Sequence, residues 1–560
     1  TSNIGLGANA VNSITTGDYN VGIGDDAGTA ITEGHRNVFL GWETGKATTT
    51  GSNNNAIGKH ALLVNTTGGG NVAMGNGSLD ANTTASYNTA IGYNTLGANT
   101  TGTQNVALGS YALDANTTAD NNTAIGYQAA TSNTEGHSNV AVGVASFHTN
   151  TTGDSNTVVG YQALYNNTTA DNNTAVGKSA LAGNTTGAEN TAVGKGSLDS
   201  NTTGIQNVAM GMNALQSNTT GAHNTSLGRE SLYNNTTASN NTAVGDNALA
   251  ANTTGTENVG LGYQSVKANT TGTGNTGLGY RTLETVVTGT DNTAVGGYAL
   301  LVNTGSNNTA LGYRSLDANT TASGNSAVGQ GALGANTTGA ENTATGRLAL
   351  TSNTTASYNM ANGYRSLQTN TTGASNTAVG WDSLRYNTTG HTNTAVGPNA
   401  LNSNTTGSTN IAIGSASLHQ NTTGTLNVAI GVSSLYANTT ASNNTAMGFN
   451  TLNANTTGAD NVAVGAYSLD ANTTAANGTA VGRNALSANT TGASNTGLGS
   501  HALVGNTTGT NNVATGVNAL SANTTGGSNV AVGNNALSLN TTASNNTGVG
   551  FYALKVNTTG

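Results

Sequence analysis

The chain has 560 residues, with 79 Gly, one Pro, no Cys, 7% charged and 4% aromatic residues, and a net charge of −9. Ordinary globular domains carry about 25% charged residues, collagen needs Gly at every third place with abundant Pro, and disorder needs high net charge with little apolar content; none of these fits. The absence of Cys removes disulfides and thiolate metal sites, the thin charge implies no polyanion partner, no Lys and Arg cluster of the kind nucleic acid demands stands out, and no run of 18 apolar residues spans a membrane.

The chain is a repeat instead. A Gly closes the motif Asn-Thr-Ala-Val-Gly and returns every 17 residues, at Gly7, Gly24, Gly41, Gly58 and onward to Gly296. It comes one residue early at Gly312, then keeps the spacing of 17 to Gly550, which makes 33 repeats. The consensus is N-T-A-V-G-x-x-A-L-x-x-N-T-T-G-x-x, and its places are numbered 1 to 17 below. The chain opens at Thr1 and closes at Gly560 within this pattern, and is read as a segment of a longer protein.

In chain order, the first three repeats are the least regular. Gly28 and Gly45 replace the Leu of place 9, and Phe39 and Trp42 intrude. Residues 1–51 are therefore read as a cap or a junction, because terminal repeats of solenoids are atypical. Residues 52–560 are regular repeats. Place 9 is Leu in 27 of them, from Leu62 to Leu554, and place 4 is Val, Ile, Leu or Met in all but Thr345, Asn362 and Thr515. Near residues 303–305 the turn reads Asn303-Thr304-Gly305, one Thr short.

Thr, Val, Asn and a Gly in every repeat argue against helix. Asn-Thr-Ala-Val-Gly alternates, with places 2 and 4 on one face and places 3 and 5 on the other. Asn-Thr-Thr-Gly has turn chemistry: Asn tolerates the left-handed region and Gly supplies positive φ. Each repeat is expected to be one coil: a short strand, a bend at Gly, a second extended piece around Ala-Leu, and a turn. Stacked coils make an all-β parallel β-solenoid, or β-roll, of 33 coils. At about 4.8 Å per coil the rod would be on the order of 160 Å long. Its ladders would run through Asn173, Val176, Gly177 and Leu181, and again through Asn292, Val295, Gly296 and Leu300, with Val and Leu forming a thin apolar spine. Three buried apolar side chains per coil, at places 2, 4 and 9, are few against 17 ordered residues. A homo-oligomer, favoured as a trimer, is therefore expected, packed through the small residues of places 3 and 5.

Asn-Thr-Ala-Val-Gly, as at Asn173–Gly177 and Asn292–Gly296, resembles the Asn-Ser-Val-Ala-Ile-Gly motif of YadA-like head repeats. Those repeats belong to trimeric autotransporter adhesins, where they form a left-handed parallel β-roll in a trimer. Runs similar to this consensus also occur in phage tail-fibre-like proteins. The likeness covers essentially the whole chain, with a period of 17 against about 14 in the adhesin heads. It implies an extracellular, cell-surface or virion-surface fibre, a homotrimeric rod that projects a binding tip toward a host-surface or glycan target.

Other constellations carry less. Asn-Thr-Thr occurs 27 times, for example at Asn65, Asn116, Asn319 and Asn557, each formally an N-glycosylation acceptor. Turn geometry with a Thr ladder explains the same spacing without glycans. Ranked Thr also fits an ice-binding or glycan-binding face, the alternative reading, as does a subunit of an end-to-end filament. Tyr93, Tyr127, Tyr161, Tyr165, Tyr263 and Tyr313 fall at variable places and are read as covering the edge of a slim rod, with glycan contact as the other reading. The eight His (His35, His60, His137, His148, His223, His391, His419 and His501) are scattered at variable places and read as surface residues. Asp25-Asp26 is the one acidic pair, and no phosphate loop or Ser, His and Asp arrangement appears. The sequence therefore points to no enzyme, cofactor or metal site.

Overall fold

The structure is a computed structural model that describes residues 2–558. It contains 33 strands of three residues each, one per coil, and no helix among the described residues. The chain divides into two units, Thr1–Arg281 and Thr282–Gly560. The first holds β1 (Ile4–Leu6) to β17 (Thr276–Leu278), and the second holds β18 (Thr293–Val295) to β33 (Thr547–Val549). Each unit is a parallel β-solenoid in which a strand pairs with the strand one coil on. Thus β11 (Thr174–Val176) pairs with β12 (Thr191–Val193) in the register Thr174 to Thr191, Ala175 to Ala192 and Val176 to Val193. The short repeat changes the offset from 17 to 16, Thr293 pairing with Thr309, and leaves the strand register intact. The lost residue comes out of the turn, where Thr304 Oγ1 still donates to the Thr320 carbonyl at 2.8 Å.

The strand occupies places 2 to 4, and its parity is the reverse of the sequence expectation. Place 3 points inward: Ala175 and Ala294 are fully buried. Places 2 and 4 point outward, so Val176 and Val295 are half-exposed and stack along the outer surface. Alternation alone permits either choice, and interior volume decides it. Where place 3 is Gly260, a Cβ would lie 3.2 Å from the Ser265 carbonyl and 3.3 Å from Leu249 of the coil before. A methyl is a close fit in that space, and a larger side chain there is the exception, as with the fully buried Val158 and Phe39. The place 3 stripe is therefore core, and is not the surface that meets a partner.

The rest of the core comes from place 9 and from Asn. Leu181 and Leu300 are fully buried and stand in the left-handed region at φ 56° and 49°. The sequence leads one to expect an extended piece here, and the structure has turns over places 6 to 11. Three non-Gly places recur with positive φ: Ser179, Leu181 and Glu189 in one coil, at places 7, 9 and 17. At these corners the amides still reach a neighbouring coil: Ser179 N–H donates to the Tyr161 carbonyl at 3.0 Å, and Leu181 N–H to the Ser197 carbonyl at 2.9 Å. Positive φ costs a bulky residue about 1–2 kcal/mol, and a buried Leu with a satisfied amide offsets it. The Asn of place 12 and the Gly of place 15, expected to hold the left-handed turn, have no positive φ at Asn184 or Gly187. Positive φ belongs instead to the Gly of place 5. Gly177, at φ 135°, would place a Cβ 2.7 Å from the Gly194 backbone, so only Gly lets successive coils stack there.

In the irregular first coils one large side chain replaces two missing ones. Phe39 takes place 3 and is fully buried. A Cβ on Gly45 would lie 2.6 Å from its ring, and one on Gly28 would lie 2.9 Å from it. Phe39 thus fills the volume that Leu holds elsewhere.

Candidate functional site

Two buried Asn ladders run up each solenoid. At place 1, Asn190 N–H donates to Asn173 Oδ1 at 2.9 Å, and Asn190 Nδ2 donates to the Gly204 carbonyl at 2.9 Å. Asn292 repeats this across the short coil, its Oδ1 accepting from Asn308 N–H at 3.0 Å and its Nδ2 donating to the Gly305 carbonyl at 2.9 Å. Asn173 keeps the Oδ1 bond, while its buried Nδ2 has no partner. At place 12, Asn201 Nδ2 donates to Asn184 Oδ1 at 2.8 Å, and Asn184 Nδ2 to Asn167 Oδ1 at 3.0 Å. Each also donates to the place 15 carbonyl three residues on, at 2.9 Å for Asn184 and Gly187. A buried amide is stable only when its donors and acceptors are matched, and the stack matches them by identity.

These ladders define what Asn-Thr-Thr does. Asn65, Asn116 and Asn319 are place 12 residues and fully buried. Asn65 Oδ1 accepts from Asn82 at 2.9 Å and its Nδ2 donates to the Gly68 carbonyl at 3.0 Å. The nitrogen a glycan would occupy is enclosed, so in the folded coil these Asn are rungs of the ladder. Asn557, in the last coil, is half-buried. At place 13 the Thr185 hydroxyl donates to the Thr202 carbonyl at 3.0 Å. Thr186 at place 14 is exposed, so one Thr rank faces solvent at this edge.

The largest unpartnered feature is the outward strand face. From Leu6 to Leu278 every place 4 residue is Val, Ile, Leu or Met, seventeen coils without interruption. Met210 is 44% exposed and Leu278 is 45% exposed. Thr or Val lies beside them at place 2, and no Lys, Arg, Asp or Glu occupies place 2 or place 4 in any repeat. The second unit has a row of the same kind, broken at Thr345, Asn362 and Thr515. Place 6 adds exposed rings to its margin, including Tyr93, Tyr127, Tyr161, Tyr263 and Tyr313. Tyr93 meets Tyr111 edge-on with centroids 5.4 Å apart, Tyr111 meets Tyr127 at 6.3 Å, and Tyr263 stacks on Tyr280 at 5.4 Å. Tyr165 is elsewhere, stacked at 4.8 Å against His148 in the place 10 row.

The ionisable groups most affected by their surroundings lie mainly at places 7 and 10. Burial pushes the carboxyls of Asp80, Asp114, Asp199, Asp317 and Asp470 above the usual range, all at place 10. Asp470 Oδ1 is buried with no partner. Burial also lowers the His148 imidazole. In the first coils Lys46 contacts Glu43 at 2.6 Å and Asp26 at 3.4 Å, and His60 lies 3.1 Å from Glu43. The hydrogen bond from Asn9, then Lys46, holds Asp26 below the usual range, and Lys46 does so for Glu43. No group of three or more His, Asp or Glu side chains is placed to hold a metal ion among the described residues. No described helix is long and apolar enough to cross a membrane.

No protein-family model matches the chain, and no curated protein matches it. The functional reading therefore rests on the geometry of the coil.

Proposed function

We propose that this chain is the shaft of an extracellular fibre, a homo-oligomeric rod that carries a binding tip away from its base and performs no catalysis. The observation that supports it is the outward apolar row. Monomers rarely leave a large apolar patch uncovered, and here seventeen consecutive coils present Val, Ile, Leu or Met on one outward row, with Met210 and Leu278 among the exposed ones. The lack of charge at places 2 and 4 suits a face that packs on copies of itself, and a face of constant composition matches the same face on another copy at every coil. The threefold number follows from the likeness to adhesin head repeats. The shaft role follows from the uniformity of the coil, which offers few places for convergent chemistry.

Light scattering on the full chain tests this. The expected native mass is three times 55.1 kDa. Val176→Lys with Val193→Lys, on two successive coils, is expected to lower that mass without loss of β-sheet signal. A dimer would overturn the trimer and keep the face as the interface. A folded monomer of the natural chain would overturn the oligomeric shaft.

A second reading is favoured by the exposed Thr186 rank and by the flat alternation of Thr and Val on the strand face. Ranked hydroxyls and methyls at strand spacing order water, as an ice-binding surface requires. Thermal hysteresis of the natural chain, lost in proportion when Thr on one face becomes Ala, would favour that reading over the shaft.

A further inference from the structure

Arg is scarce in this chain, yet four of its eight Arg residues, Arg314, Arg347, Arg365 and Arg385, fall in five successive coils of the second unit. Residues 343–390 hold three Arg and one Asp, a local charge of +2 in a chain of −9. The Arg residues are 18 to 33 positions apart in sequence, so they form no visible cluster there. The coil brings the last three together: Arg365 N–H donates to the Arg347 carbonyl at 3.1 Å, and Asp382 N–H, on the coil that carries Arg385, donates to the Tyr364 carbonyl at 3.0 Å.

The group is built in two layers. In the inner layer Arg365 pairs with Asp382 through Nε at 2.9 Å and Nη2 at 2.8 Å, and Asp382 is only 4% exposed. Arg385 reaches the same carboxylate at 3.4 Å and donates from Nε to Gln368 at 3.0 Å. Two guanidinium groups share one carboxylate, which leaves positive charge over. The outer layer is the place 6 row. Arg347 lies over the Tyr364 ring at 5.9 Å and has no carboxylate partner among the described residues, and Trp381, one coil beyond Tyr364, is 49% exposed. Arg365 lies over the same Tyr364 ring at 4.5 Å. In two of these coils the apolar outer row gives way to polar residues, Thr345 and Asn362, both exposed.

We infer that Arg347, Tyr364 and Trp381, with Thr345 and Asn362 beside them, form a binding site for an anionic oligosaccharide, one bearing carboxylate or sulfate groups. Each group has a matching function. The guanidinium is a planar fork for a carboxylate or sulfate. The exposed Trp381 indole takes the apolar face of a pyranose ring, and the half-buried Tyr364 beside it anchors the guanidinium groups. The hydroxyl of Thr345 and the amide of Asn362 supply donors and acceptors for sugar hydroxyls. The Arg365, Asp382 and Arg385 network holds the rings in place and adds positive potential behind them. The sharp loss of apolar character at places 4 of these two coils frees this stretch from the self-packing face, so the site does not depend on the oligomer.

The test is calorimetric titration of the full chain with a heparin hexasaccharide, a hyaluronan hexasaccharide and a neutral maltohexaose. The first, the second or both are expected to bind, and the neutral sugar is not. Arg347→Gln and Trp381→Ala are each expected to weaken binding by at least tenfold, with unchanged circular dichroism and melting. Binding to heparin but not hyaluronan assigns the site to sulfate, and the reverse assigns it to carboxylate. Absence of binding by both charged probes would overturn the proposal, as would affinity unchanged in Arg347→Gln or Trp381→Ala. Tighter binding of a single-stranded oligonucleotide through the same residues would also overturn it, and would reassign the site to nucleic acid. None of these readouts depends on the native mass, so the shaft and the site stand or fall separately.

Discussion

At the scale of the residue, this protein rests on Asn used as an internal backbone. Asn184 accepts from Asn201, donates to Asn167 and also donates to the Gly187 carbonyl. Asn184→Ala would leave Asn167 Oδ1 and the Gly187 carbonyl buried without a donor, and is expected to cost about 1–3 kcal/mol. The loss should be local, because each coil touches only its neighbours. Hydrogen exchange should therefore show faster amides in the adjoining coils and little change far away. Thr186→Ala, on the exposed place, is expected to stay within about 0.5 kcal/mol of the natural chain. The place 1 ladder is legible in the sequence as an Asn at a fixed interval. The place 12 ladder has an equally plain signature, but Asn-Thr-Thr also has the chemistry of a turn and of a glycosylation acceptor. Burial separates them, and burial is not written in a tripeptide.

At the scale of the element, the question is which side of a three-residue strand faces in. Ala175 is enclosed and Val176 is half-exposed. Ala175→Leu is expected to overpack the coil and cost about 1–3 kcal/mol. Val176→Ser is expected to leave the coil stable and to weaken association. Thermal melting and native mass, measured on both variants, separate the two effects; if Val176→Ser destabilised the coil more than Ala175→Leu, the assigned parity would be wrong. Sequence hydrophobicity favours the opposite assignment, since Val is the more apolar residue. The interior disfavours that choice in most coils, because Leu from place 9 and two Asn rows already take up much of it, and the buried Val158 is an exception. The corners have the same character. Asn, Asp and Gly recur at places 7 and 17, where φ is positive, and that signal was available. Leu at place 9 gave none, because a Leu is held in the left-handed region only by what it buries.

At the scale of the whole molecule, charge is sparse but not neutral in effect. Five place 10 Asp have carboxyls raised by burial. For a raised carboxyl the stabilising contribution is present in full below the unfolded value, about 4, and is lost as pH rises through the folded value. Asp26 and Glu43, lowered by their partners, act in the opposite direction, stabilising above about 4 and losing that in acid. The His148 imidazole, lowered by burial, also favours pH 7, and with five groups against three the chain is expected to melt at a higher temperature at pH 4.5 than at pH 7. Asp470→Asn should raise the pH 7 melting temperature slightly and narrow that difference. Circular dichroism melts of both proteins at the two pH values check this; a natural chain more stable at pH 7 would show that the half-exposed carboxyls are screened by solvent.

The sequence by itself determined the period of 17, the parallel solenoid, the deletion near 303–305 and the identity of the residues that stack, because a strict repeat forces like over like. Only the tertiary structure decided which of those residues are inside, which corners are left-handed, and that Arg365 and Arg385, from different places of two coils, converge on Asp382. The reason is geometric. Stacking is a property of the interval between residues and is written along the chain. Burial, handedness and side-chain convergence depend on how wide the coil is and how tightly it turns, and those are set by the packing of all its places together.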